Sequence, residues 1–528
     1  MNRIVIIAAA VFGTTMAMTN GARAHEGGES LGKVHFPTSC TPEAQVIFDR
    51  AMLYQHSFWY SASRRAFEEA LAADPGCAIA YWGVAQSLLA NPFNPTPPKN
   101  LIDGQSAIQK ARDLGAKTQR ENDFIAAIGA YYASDDKLDQ RARAQAYLAA
   151  MEAVAKRYPD DDEAQIYYAL ALNIAASPND KTYANQLKAA AILEPIFKRQ
   201  PRHPGVAHYL VHTYDYPPIA AKGLDAAKRY AEIAEAAPHA QHMPSHIFTR
   251  VGYWKESVAS NETAARIAKA NKEADDQLHA SDYMVYAFLQ MGQDQKAREI
   301  IDGMAAVTGF NPERNTAPFA LAASPARYVV ERGDWKAAAA LEVHPSKFAY
   351  VDAITHFTRA LGAARSGDPE AAKADIARLA ELRDRLRAAK DAYWADQVDI
   401  QWQAATAWML DAEGKYAEAL RAMTAAAEAE DRTEKGTVTP GPLAPARELL
   451  GSMLLAQANP ADALAAFEAT LKKEPNRLGA TFGAAKAAEQ AGDAVKARQY
   501  YAKVVELTKE ATTKRAEVSE ALAFMSKR

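Results

Sequence analysis

A short unit recurs along this chain: a glycine followed, five residues on, by alanine or serine. It occurs as Gly252 and Ser257, Gly292 and Ala297, Gly333 and Ala338, Gly367 and Ala372, Gly414 and Ala419, and Gly492 and Ala497. Ala458 stands in glycine's place ahead of Ala463, and an aromatic often falls inside the unit, as at Trp254, Trp335 and Tyr416. Twelve residues beyond the small residue a proline often closes it: Ser63 leads to Pro75, Ala226 to Pro238, and Ala463 to Pro475. Each position has a helical meaning. Glycine takes the left-handed cap that ends one helix. The small residue lets a second helix lie close to the first, and proline stops that helix and opens the next unit. Abundant alanine, with few β-branched residues after the first positions, also favours helix. A period of this kind specifies stacked helical hairpins.

Two stretches carry the pattern most fully, "SFWYSASRRAFEEALAADPGCAIAYWGVA" from Ser57 and "ANPADALAAFEATLKKEPNRLGATFGAAKAAEQAGD" from Ala458. Both resemble tetratricopeptide repeats in their small and aromatic positions. The resemblance implies an all-α, tetratricopeptide-like helical-hairpin solenoid in a right-handed superhelix, whose first helices line a concave binding surface. Irregular spacing at 307–328 and a proline- and glycine-bearing stretch at 430–450 mark breaks. The expected division is residues 41–320, carrying the histidines described below, and 321–528.

The N-terminus reads as an export signal over residues 1–24. Arg3 precedes the apolar run "IVIIAAAVFGTTMAM", and Ala22-Arg23-Ala24 offers a small-x-small cleavage site. No later segment approaches the ~18 uninterrupted apolar residues of a membrane span. The expectation is a periplasmic or secreted protein with no span after cleavage, starting at His25 with a tail over 25–40. A new N-terminal His25 offers a copper-chelating amine and ring, but "HEGGES" reads more simply as tail. The only cysteines, Cys40 and Cys77, each precede an expected helix and lie about one repeat apart, so one disulfide is expected in an oxidising compartment. A formal net charge of −3 provides no basic field for nucleic acid.

Seven of the twelve histidines fall between His203 and His279, and this concentration carries the functional reading. "HPGVAHYLVHTYDYP" holds His208 and His212; "PHAQHMPSHIFTRVG" holds His242 and His246. Residues four apart share a helix face, with β-carbons ~5–6 Å apart. The pairs are 34 residues apart, and each follows a helix-opening proline, Pro204 or Pro238, at the same distance. Equivalent positions on adjacent helices then direct all four imidazoles to one point. Imidazole suits transition metals such as copper, zinc or iron. The expected ligands are His208, His212, His242 and His246, with His279 or Asp282 as alternates. Asp215 and Asp282 are the candidate general bases. His203, His239, Tyr209, Tyr214, Met243, Arg250 and Asn261 are candidate supports. The same residues also fit a polar pocket without metal.

These histidine segments, together with "LHASDYMVYAFLQMG", "TSCTPEAQVIFDRAMLYQHSFWY" and "DPGCAIAYWGVA", resemble blocks of a group of exported bacterial tetratricopeptide proteins without a firmly assigned activity. The resemblance implies that His208, His212, His242, His246 and His279, with His56, are that group's histidines. Where related chains often read "TEKHPVTPG", this one reads "TEKGTVTPG", so Gly436 removes a histidine. "DDDE" at 160–163 reads as a helix start, and "HSFWY" and "YWG" as packing aromatics. No P-loop, GxGxxG, GxSxG or CxxCH motif is present. Two functions remain: a transition metal held in a multi-histidine pocket on the concave face, with or without catalysis, or a scaffold that binds a peptide or protein partner. A small-molecule or peptide ligand in the groove fits either.

Overall fold

The six glycines of the repeat unit, Gly252, Gly292, Gly333, Gly367, Gly414 and Gly492, all have φ between 63° and 84°, and Ala458 takes φ 57°. In a computed structural model, which describes residues 31–133 and 139–527, each ends a helix as the spacing requires. The described residues form successive α-helical hairpins and no strand. The small residues of the unit are all at the seams: Ser63, Ser257, Ala297, Ala338, Ala372, Ala419 and Ala463 are fully buried. Export signal and His25 lie outside the described residues.

Two seams show how closely the helices approach. The hairpins Tyr60–Ala73 with Ala78–Leu88, and Pro460–Lys473 with Leu478–Gln490, place Phe67 and Phe467 at equivalent positions. A Cβ on Gly83 would lie 2.4 Å from the Phe67 ring, and one on Gly483 would lie 2.4 Å from Phe467. The aromatic therefore occupies the place of a missing side chain.

The apolar core follows the chain. One cluster runs from Leu31 to Phe248, a second from Trp254 to Ala320 and a third from Phe319 to Ala497. The expected boundary near 320 falls inside the helix Thr316–Glu331. Of the expected 25–40 tail, residues 25–30 lie outside the described residues. Phe36 is fully buried among Phe48, Trp82 and Phe124, so 31–40 packs on the first hairpins through Leu31 and Phe36. Cys40 and Cys77 form a disulfide with Cα atoms 5.0 Å apart, joining this segment to the start of the Ala78–Leu88 helix.

The array also contacts itself across long sequence distances, beyond the neighbour-only contacts of a simple solenoid. Trp254 Nε1 donates to Asn476 O at 3.0 Å, and Leu478 N donates to Gln290 Oε1 at 2.8 Å. Arg477, 1% exposed, is paired with Glu331 and Glu448. The loop 433–443 reaches back to residues near 181, 215 and 283. C-terminal hairpins thereby form a wall of the middle ones.

The glycine seams give a direct test. Gly83→Ala and Gly483→Ala should each destabilise the protein by about 1–3 kcal/mol in urea unfolding, because overpacking outweighs the helix propensity gained. Gly303 lies in the helix Asp294–Met304 and meets nothing within 4 Å of an added Cβ. Gly303→Ala should be neutral or stabilising. Equal effects at all three positions would refute the seam argument.

Candidate metal centre

The helix Pro204–Tyr214 starts on proline, with His203 as its cap, and carries His208 and His212 one turn apart. The equivalent helix of the next unit is interrupted: Pro238–His242 is followed by Pro244–Arg250. Pro244 has no N–H to continue the ladder. Met243 between them keeps φ −54° and ψ −37°, so the four-residue spacing of His242 and His246 still places both on one face. His279 comes from the helix Ala274–Gln290.

The four expected ligands do not meet at one point. They divide into two groups, His208 with His212 and His239, and His242 with His246 and His279. Within each group, one nitrogen per ring lies within 4.8 Å of the others. The Nε2 atoms of His208 and His212 are 3.1 Å apart, those of His208 and His239 3.2 Å, and those of His242 and His246 3.1 Å. The groups adjoin, with ring centroids of His212 and His246 6.3 Å apart and those of His239 and His242 also 6.3 Å apart. Helix spacing accounts for the division. Packed helix axes lie ~8–10 Å apart, whereas two nitrogens on one ion span at most ~4 Å. Each helical pair therefore takes a third ring from nearby. His239, expected as a support, completes the first group; His279, expected as an alternate ligand, completes the second.

Three rings are oriented by protein acceptors on the far nitrogen. His208 Nδ1 is 2.7 Å from His56 O, His242 Nδ1 is 2.6 Å from Asn261 Oδ1, and His246 Nδ1 is 2.8 Å from Asp215 Oδ2. Asn261 Nδ2 donates to Ser257 O at 2.7 Å, which leaves Oδ1 to face His242. The protons of His208, His242 and His246 are therefore on Nδ1, and each Nε2 presents a lone pair. Burial, and then neighbouring imidazoles, hold His208, His212, His239, His242 and His279 well below the ordinary histidine range. Burial lowers His246 as well, against the opposing carboxylate of Asp215. All six rings are neutral near pH 7, as metal ligands must be.

The general-base role expected for Asp215 does not fit its surroundings. Asp215 accepts from His246, from Arg250 Nε at 2.8 Å and from Lys435 Nζ at 3.3 Å. Burial acts to raise its carboxyl, but Lys435, Arg250 and His246 outweigh this and hold it well below the usual range. Asp215 is thus a fixed anion that positions His246. Asp282 accepts from Ser324 Oγ at 3.1 Å and Arg327 Nε at 3.3 Å on one oxygen; its Oδ2 has no partner among the described residues, burial raises its carboxyl above the usual range, and it belongs to neither histidine group.

A further buried trio, His56, Glu163 and His203, already uses its polar atoms. Glu163 binds His56 Nε2 at 3.1 Å and His203 Nε2 at 2.9 Å, and His56 Nδ1 is 3.0 Å from Tyr209 OH. The trio holds His56, whose carbonyl orients His208. Gly205 makes this possible, since a Cβ there would sit 2.3 Å from His56 Nδ1.

Sequence reasoning missed Lys435 and Tyr283. Tyr283 OH lies 3.3 Å from His246 Nε2 and 3.2 Å from Thr439 O. With Lys435 it joins the loop 433–443 to the histidines, and this loop covers part of the multi-histidine pocket. Gly436 lies in that loop, and a Cβ there would be 3.2 Å from Tyr393 OH. Partners separated by more than 150 residues leave no local signal.

A family model described as tetratricopeptide repeat matches residues 53–92 and 448–512. No curated protein matches the sequence. Among solved structures, the human IFIT1 dimer with m7Gppp-AAAA aligns at 11% identity and TM-score 0.33, covering 81% of this chain and 90% of that one. Yeast Tom70 aligns at 11% identity and TM-score 0.27, covering 91% and 94%. Likenesses this distant carry no argument about function. No helix among the described residues is long and apolar enough to cross a membrane.

The lowered histidines set a pH dependence. Between about pH 6.5 and their depressed native values, the unfolded chain binds protons that the folded chain does not. Metal-free protein should therefore lose stability as pH falls below about 6.5, by up to about 1.4 kcal/mol per pH unit for each such histidine. This contribution should be absent above about pH 7.5. The urea midpoint at pH 5.5 against 7.5 should shift less in a His208→Gln, His242→Gln double variant. Identical shifts would place the titration elsewhere.

Proposed function

The chain carries tetratricopeptide repeats, and on that scaffold we propose that it is an exported metalloprotein holding two transition-metal ions side by side. His208, His212 and His239 hold one; His242, His246 and His279 hold the other. The carrying observation is the facing pair of Nε2 lone pairs on His242 and His246, 3.1 Å apart, with the Tyr283 hydroxyl 3.3 Å from His246 Nε2 beside them. Lone pairs at that separation repel unless a cation stands between them. The spacing is close to the ~3.3 Å edge expected for two ligands at ~2.0–2.1 Å on a tetrahedral ion.

The donor set narrows the metal. Six neutral imidazoles suit copper, zinc or iron, and affinity in the first-row series peaks at copper. Copper is the assigned occupant. Three protein nitrogens leave a coordination position free, as in sites where an ion binds water or substrate. When bound there, the ion would supply Lewis-acid or redox chemistry to a small ligand. The disulfide supports the exported setting expected from residues 1–24, since such bonds persist in oxidising compartments.

The matches at 53–92 and 448–512 favour a second reading, a repeat surface that binds a peptide or protein. In that reading the histidines are a polar core without metal.

Elemental analysis of untagged protein after exposure to copper and zinc separates the two. Two equivalents per chain are expected in wild type, and one in His208→Ala or His242→Ala. The double variant should hold none. A metal-free wild type, or single variants that each keep two equivalents, would refute the metal reading.

A further inference from the structure

A second candidate site lies on the other side of the loop 433–443. The helices Thr316–Glu331, Ala349–Arg365 and Ala392–Ala412 and this loop enclose a cavity with about 680 Å³ of empty space, open mouth included. One wall is aromatic. Tyr350 and Trp394 stack at 4.0 Å with 7° between their planes, and Tyr393 meets Trp394 edge-on at 5.0 Å.

The opposite chemistry comes from Glu474. It is 2% exposed, and neither carboxylate oxygen has a hydrogen-bond partner among the described residues. Its repeat equivalent shows what is unusual. Asp74 and Glu474 each precede the closing proline of a unit, Pro75 or Pro475. Asp74 accepts from Thr41 N at 2.8 Å and from Gly76 N at 2.9 Å, completing the turn. Glu474 is one methylene longer, does not cap the turn, and lines the cavity instead. Gln401 Oε1, on the same cavity, is also unpartnered.

Most nearby donors are engaged, and Arg250 Nη1 is buried without a partner. Lys473 Nζ donates to the carbonyls of Glu430 and Thr433, Arg327 to Asp282, Thr439, Gly441 and Pro442, and Lys435 to Asp215. Both Glu474 oxygens and Gln401 Oε1 outnumber that single donor, so the unmet demand is for hydrogen-bond donors, which a buried acceptor requires. Charge excludes the simplest ions. Arg250, Lys473, Arg477 and Lys435 act on Glu474 and disfavour a cation, and the carboxylates disfavour an anion. Burial outweighs those cations and raises the Glu474 carboxyl above its usual range.

We infer that this cavity binds a small neutral aromatic molecule bearing hydroxyl or amino donors, its ring against Trp394 and Tyr350 and its donors on Glu474 and Gln401. A flat ring is the complement of an aromatic wall. A site built to receive hydrogen bonds rejects an isostere that cannot donate them. The inference stands on the cavity alone and does not require metal among the histidines.

The probe is resorcinol, with 1,3-dimethoxybenzene as the same ring without donors. Both are titrated into the full chain after chelator treatment and followed by calorimetry and tryptophan fluorescence. Resorcinol should bind saturably at one site, and dimethoxybenzene about tenfold more weakly or worse. Glu474→Gln should weaken resorcinol by a similar factor, and His242→Ala should leave its affinity unchanged. Absence of saturable binding, equal affinity for the two compounds, or unchanged affinity in Glu474→Gln would overturn the proposal. Loss of binding in His242→Ala would also overturn it, by placing the probe among the histidines. If Glu474→Gln does not fold, the comparison of the two compounds on wild type decides.

Discussion

Where Phe67 lies across Gly83, and Phe467 across Gly483, two helices approach with no Cβ between them. Fully buried Ser257, Ala297, Ala338 and Ala419 continue the seam in other hairpins. Contact at a small residue leaves little freedom in the rotation of one helix against the next, because protein interiors are close-packed. Equivalent positions in successive units then present their side chains in the same sense. His208 and His212 lie beside His242 and His246 for this reason, and the alignment survives even the interruption at Pro244.

Burying four of the six imidazoles, and part of the other two, has an electrostatic consequence. A charged ring there is costly, so the rings stay neutral and the protein must decide which nitrogen holds each proton. A backbone carbonyl, an amide oxygen and a carboxylate decide it for His208, His242 and His246. The carboxylate, Asp215, is itself buried and needs Arg250 and Lys435 for compensation. Orientation of one ring thus draws in a loop 220 residues away in sequence. The same loop forms a wall of the aromatic cavity, through Lys435 and Thr439, so one segment serves both sites.

Much of this was legible in one dimension. The glycine-to-small spacing marks the helix ends, and all six glycines take the left-handed conformation, as does Ala458 in their place. The pairing of Cys40 with Cys77 followed from their separation by about one repeat. The histidine pairs were legible because four residues is just over one helical turn. Their division into two groups of three was not, since it depends on the distance between helix axes. His239 has a helical neighbour in His242, three residues on, yet it groups with His208, which it reaches only after the hairpins pack. Asp215 looked like a free base because the cations that neutralise it are 35 and 220 residues distant.

The helical units, their caps and seams, and the imidazoles that share a face all follow from residue order, because each of these depends on neighbours within one or two helical turns or on a repeating position. Tertiary structure alone decided how many histidines form a group, which nitrogen each presents, and which loop partly covers them. Those outcomes depend on distances between helices and on charge compensation across the fold, which exist only once the hairpins are stacked and their C-terminal members have closed against the middle.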